Sequence, residues 1–205
     1  MTRRGIVSSM VVMLGVGLSI AALSYLVVRG HGFSAAGHPG RLETRVARAA
    51  RSLAIPADAR RRANPGSSSP ERLRAGLAHF ADHCAVCHGN DGRGQTEMGR
   101  GLYPKPPDMT LPATLQLTDG ELFYIIEHGV PFTGMPAWGD GRAESETASW
   151  HLVQFIRHLP QLSAEELALM RRLNPTGPGT PAMDPDDFLN GAPLPPAPVH
   201  KGHDQ

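Results

Sequence analysis

Hydrophobic and polar positions divide the 205-residue chain into stretches of different character. From Ile6 to Val28 run 23 residues without a charge, bounded by Arg3-Arg4 on one side and Arg29 on the other. A helix of that length crosses about 30 Å of hydrocarbon, so residues 1–30 are predicted to be an uncleaved membrane anchor. A cleaved signal peptide is the competing reading. Its apolar region spans only about 7–15 residues, although Ser34-Ala35-Ala36 offers a small-residue cleavage site. Arg3-Arg4 also admits a twin-arginine export signal, to which Gly5-Ile6 adds only a weak match.

Residues 31–69 read as a basic connector. Gly, Ser and Pro at its ends enclose Arg41 to Ile55, where Leu42, Val46, Ala49 and Leu53 recur at helical spacing with arginines between them. This predicts one short amphipathic helix, either solvated within a tether, or lying on anionic lipid or against the body that follows.

The body, residues 70–173, carries the periodicity of about four helices. Ser69 as N-cap and Pro70 at the first helical position open a stretch in which Leu73, Leu77, Phe80 and Ala81 share a face, leading to Cys84. Thr118 to Glu121 is a capping box that starts a second helix, closed by Gly129. Ser145 is predicted to cap a third, running through Trp150, Val153, Phe155 and Ile156 to Leu159 before Pro160. Ser163 to Glu166 is another capping box, for a fourth helix ending before Asn174. No stretch alternates as a strand would, so the class is all-α. The Gly- and Pro-rich run from 89 to 117 is too long for a bundle connection unless a large group fills the centre. Residues 174–205 hold eight prolines and no helical period, and read as a disordered tail in which His200 and His203 are free side chains.

Charge changes the picture only when divided. Residues 1–69 hold ten arginines against Glu43 and Asp58, a net +8; residues 70–173 net −4; residues 174–205 net −3. The overall +1 therefore hides a basic front and an acidic body. The arginines lack the interleaved aromatics that stack bases, which argues against a nucleic-acid partner.

The chemistry is concentrated in one place. Cys84 and Cys87 are the only cysteines, so there is no disulfide framework. With His88 they spell C-x-x-C-H, the attachment sequence for c-type haem. Two thiols three residues apart can each reach one vinyl group of a porphyrin, and the following imidazole comes under the iron. A redox C-x-x-C wants a βαβ setting, and a zinc site wants two further ligands at a fixed spacing; His79 and His83 lie nearby, but in the preceding helix.

Residues 70–173 resemble a class I cytochrome c. The resemblance rests on Cys84 to Gly89, the turn Asp91-Gly92-Arg93-Gly94, the segment Pro104 to Asp108, the loop Thr133-Gly134-Met135-Pro136-Ala137-Trp138, and the closing helix Trp150 to Leu159. It implies a small helical fold around one covalent haem c, iron ligated by His and Met, and one-electron transfer. It also implies a carbonyl at Pro104 or Pro106 to hold the second ring nitrogen of His88, and close packing of Gly76 and Phe80 against Trp150 and Phe155. Position selects the sixth ligand. Met135 sits in a loop between Gly134 and Pro136, which forces it extended and can present its thioether to iron. Met98 is too near His88 in sequence, Met109 lies in a Pro-rich turn and Met170 on an apolar helix face, so His128 is the best substitute. Trp138, Tyr103 and Leu102 are candidates for the haem wall or for plain packing.

The reading that follows is a membrane-tethered electron carrier, not an enzyme, because no nucleophile–base pair or pair of acids surrounds a pocket. Its partners would be membrane lipid, through the N-terminal helix, and redox proteins of a bacterial respiratory chain. Haem attachment of this kind, as the resemblance implies, places the haem domain in the periplasm. The alternatives are the haem subunit of a larger dehydrogenase or oxidase, and a haem enzyme or gas sensor with an open sixth position.

Overall fold

The computed structural model describes residues 3–31, 34–66 and 68–174. Among them every regular element is helical. The chain divides into two units, Met1–Gly37 and His38–Gln205. The first is essentially one helix, α1 (Arg3–His31), whose stretch Val7–Gly30 is long and apolar enough to cross a membrane and has no buried residue.

The second unit begins with α2 (Arg41–Ala54) and α3 (Ala57–Arg61), where the sequence pattern suggested one helix. Its main frame is α4 (Pro70–His79), α8 (Asp119–His128), α9 (Ala143–His158) and α10 (Ala164–Leu173), with the short helices α5 (Ala85–His88), α6 (Glu97–Arg100) and α7 (Pro112–Leu115) between α4 and α8. The helix starts follow local hydrogen bonding. Ser69 Oγ accepts from the Arg72 amide, and Thr118 and Ser163 each form a reciprocal box with the glutamate three residues on. Gly129 closes α8 at φ 66°, a left-handed conformation that glycine adopts without cost.

Ser145 does not cap the third helix. α9 starts at Ala143 with Arg142 as N-cap. The Asp140 carboxylate accepts from the Arg142 amide at 2.9 Å and from its Nε at 2.6 Å, which turns the chain into the helix earlier than expected. The Ser145 hydroxyl instead donates back to the Trp138 carbonyl at 3.3 Å.

The core forms where α4 crosses α9. Gly76 has no β-carbon, and one placed there would strike the His151 carbonyl and Phe155. That close approach lets Phe80 meet Phe155 at 5.1 Å between ring centroids, over a floor of Leu77, Leu152, Val153 and Met170. Trp150 stacks on Phe123 of α8 at 4.2 Å.

The second half of the stretch 31–69 is folded onto this frame. Ile55 and Ala59 are buried, and the Thr118 hydroxyl donates to the Arg60 carbonyl at 2.9 Å. The Arg62 guanidinium lies 4.4 Å over the Phe123 ring and pairs with Glu146 at 3.2 Å, while Asn64 donates to the Trp150 carbonyl at 3.1 Å. The tail read as disordered, with His200 and His203, lies outside the described residues apart from Asn174.

Candidate haem-binding site

α4 does not run smoothly into the cysteine motif. It continues through a single π-type turn, Phe80–Cys84, into α5, which Gly89 ends at φ 73°. Such turns displace a helix by one residue and recur at functional sites. Here the turn delivers Cys84, Cys87 and His88 from one short piece of backbone.

Both thiols are free and half-buried. Burial pushes the Cys84 thiol up to about 12, with Cys87 and Asp82 adding in the same direction, and it raises Cys87 as well. Burial also pushes His88 down to about 4, so the imidazole is neutral at physiological pH, the form that can donate an electron pair to a metal. Its Nδ1 is buried without a hydrogen-bond partner, so neither Pro104 nor Pro106 accepts from it. A neutral imidazole beside two free thiols on one turn fits covalent haem, whereas the carbonyl expected to hold the second ring nitrogen is not in place.

The run after His88 is organised around the motif's own carbonyls. The Gly94 amide donates to the His88 carbonyl at 2.6 Å, and the Thr96 hydroxyl donates to the Cys87 carbonyl at 3.1 Å while accepting from Gly99 at 2.8 Å. Gly94 is at φ 70°, and a β-carbon on it would stand 2.5 Å from the Pro106 carbonyl. Glycine therefore lets the segment Pro104 to Asp108 come alongside the motif. The Met109 amide ties to the Gly92 carbonyl at 2.8 Å. Across the domain, Asn174 donates to the Ala81 carbonyl at 2.7 Å and exchanges hydrogen bonds with Asn90, joining the end of α10 to the π turn. Sequence reasoning passed over Thr96, Asn90 and Asn174. Thr96 was findable as an N-cap before Glu97; the asparagine pair, 84 residues apart, left no local signal.

Met135 sits half-buried in a loop pinned at both ends. Its amide donates to Thr133 Oγ1 at 3.1 Å and its carbonyl accepts from Val130 at 3.1 Å. Beyond it, Trp138 and Gly139 amides donate to the Ile126 and Glu127 carbonyls of α8. Gly134 rests on Leu102, which lines a groove of about 540 Å³ together with Val86, Glu97, Met98 and Gly101. Val86 is one of the two residues between the cysteines, so this groove borders the motif, and of its lining residues Leu102 is the one beside Gly134. Three of the rival ligands are otherwise engaged: Met109 and Met170 are buried in the core, and His128 stacks on Tyr124 with Nδ1 3.0 Å from that residue's carbonyl; Met98 is exposed and lines the same groove. Trp138 stands edge-on to His83 at 5.2 Å and His79 at 6.4 Å, beside a second groove of about 470 Å³. The Tyr103 hydroxyl donates to Glu43 at 2.6 Å.

An all-helical shell closing on this cysteine–histidine turn, with a separate helix long and apolar enough to cross a membrane, is similar to the arrangement of a membrane-anchored c-type cytochrome. Comparison with known proteins narrows the class: residues 71–156 match the family described as cytochrome C oxidase, cbb3-type, subunit III. The cbb3-type cytochrome c oxidase subunit FixPc of Rhizobium leguminosarum bv. viciae is 37% identical over 93 residues, 45% of this chain and 29% of that protein. The similarity thus covers less than a third of the relative's length.

Proposed function

We propose that the chain is a one-electron carrier in which a single haem is bound covalently by Cys84 and Cys87, with His88 and Met135 as axial ligands. The observation that carries this is the Cys84–His88 turn, which places two free thiols and a half-buried, neutral imidazole within five residues. The haem, when bound, supplies a ferric/ferrous couple whose potential thioether ligation raises. Everything else is the work of the chain. Cys84 and Cys87 would hold the group by adding their S–H bonds across its two vinyl groups, burial keeps His88 neutral, Gly94 and Thr96 fix the motif's backbone, and the Thr133–Pro136 turn would present Met135. With both axial places taken by protein there is no substrate position, which supports a carrier over an enzyme.

The name of the relative favours a more specific setting, a subunit of a cytochrome c oxidase; the proposal adds α1 as a single-pass anchor and the haem domain on the periplasmic side. Two experiments separate these layers. Haem is expected to stay with the polypeptide through denaturing electrophoresis at one per chain, and to be lost from the Cys84→Ser/Cys87→Ser variant; retention by that variant would overturn covalent attachment. Purification from detergent-solubilised membranes is expected to bring oxidase subunits with the chain. Recovery of the chain alone from active membranes would leave a free-standing carrier.

A further inference from the structure

Helix α2 is amphipathic in the opposite sense from a helix that merely packs on its own domain. At 3.6 residues per turn, Leu42, Val46, Ala49 and Leu53 share one stripe, and Thr44, Arg51 and Ile55 lie on the opposite side. The domain takes the polar side. Thr44 and Arg51 are half-buried, Ile55 is buried, and Glu43 accepts the Tyr103 hydroxyl at 2.6 Å. The apolar stripe is left outside: Leu42 is 75%, Val46 59% and Leu53 85% exposed. Arg41, Arg45 and Arg48 are exposed along the same helix. Only residues 32–40 separate α2 from the end of α1, so the chain can carry the start of α2 no farther than about 30 Å from that end.

We propose that α2 is a second membrane contact: it lies in the headgroup layer of the bilayer that α1 crosses, with Leu42, Val46 and Leu53 among the acyl chains and the arginines on anionic phospholipid headgroups. Exposed apolar side chains flanked by arginines are what an interfacial helix requires, and the short link to a spanning helix presents a bilayer before any other surface. Because Ile55 and the Glu43–Tyr103 bond join α2 to the domain, this contact would also fix how the haem domain is oriented on the lipid. The inference rests on α1 being retained as an anchor.

The test uses the full-length holoprotein, one chain per nanodisc, with the native cysteines consumed as thioethers and a single cysteine introduced by Leu53→Cys or, as a control on another face of α2, Ala47→Cys. The readout is the alkylation rate by an uncharged, water-soluble maleimide. In phosphatidylglycerol discs, Leu53→Cys is expected to react at least about tenfold more slowly than in phosphatidylcholine discs, with Ala47→Cys unchanged. Replacing Arg41, Arg45 and Arg48 by Gln should restore the rate, since each cation near an anionic surface contributes about fivefold. Equal, fast alkylation at both positions in phosphatidylglycerol discs would overturn the proposal. So would slow alkylation at 53 in both lipids that appears only with two chains per disc, which would assign the stripe to a second copy. Co-elution of haem absorbance with the discs reports on the anchor separately.

Discussion

A buried imidazole stays neutral when the protein withholds water from it, and two histidines of this domain show that effect with different consequences. In His88 it leaves the imidazole neutral, the form that the proposed iron ligation requires. In His79 it produces an acid sensitivity: burial, with His83 and His151 adding to it and Asp82 opposing, holds the side chain down to about 4 against an ordinary value of 6.5. Between those limits the unfolded chain takes up a proton that the native one refuses, so stability is full above about pH 6.5 and falls as the pH drops toward 4. Guanidinium unfolding of the holoprotein at about pH 7 and about pH 5 is expected to show a lower midpoint at the acid end, and His79→Gln should shrink the difference without abolishing it, since His88 and His151 are lowered as well. An unchanged difference would place the sensitivity on another group. At this same scale the C-x-x-C-H spacing was readable in the sequence, because it lies within five residues. The side chains around it were not. Trp138 and Tyr103, weighed as haem-wall residues or plain packing, also contact His83 and Glu43, partners set by the folding of distant segments and without a local signal.

Among the elements, the crossing of α4 and α9 sets the position of everything downstream, since the cysteine turn hangs from the end of α4. Gly76→Ala puts a methyl group against the His151 carbonyl, which is backbone and cannot swing aside. Overpacking of this kind is expected to cost about 1–3 kcal/mol, read from denaturant midpoints; a midpoint equal to that of the unaltered protein would mean that the crossing is looser than it is drawn here. The resemblance located this contact, and the caps at Ser69, Thr118 and Ser163 were readable because each is a bond between residues three apart. Ser145 misled because the competing Asp140–Arg142 turn acts one step earlier on the chain. The docking of Ile55, Ala59 and Arg62 on α8 and α9 escaped the pattern altogether. Composition marks 31–69 as polar and proline-bearing, whereas the contacts that fold its second half are made with residues 58 to 86 positions away.

For the molecule as a whole, charge divides the sequence into a basic front, residues 1–69, and an acidic body, residues 70–173. If the haem domain lies outside the cytoplasmic membrane, protease added to spheroplasts is expected to degrade it, and protection until lysis would reverse the orientation. If α1 is retained, the chain should resist high-salt and alkaline extraction and dissolve only in detergent; a mature amino terminus near Gly37 would mean cleavage.

The central claim, a carrier with both iron positions held by the chain, is tested most directly at the sixth ligand. Carbon monoxide can bind ferrous haem only where Met135 gives way. Slow, weak binding by the unaltered protein is therefore predicted, with rapid binding and a lowered reduction potential in Met135→Ala, and with Met98→Ala behaving as the unaltered protein does. Rapid, stoichiometric carbon monoxide binding by the unaltered ferrous protein would contradict the account and favour an open-site haem enzyme or sensor.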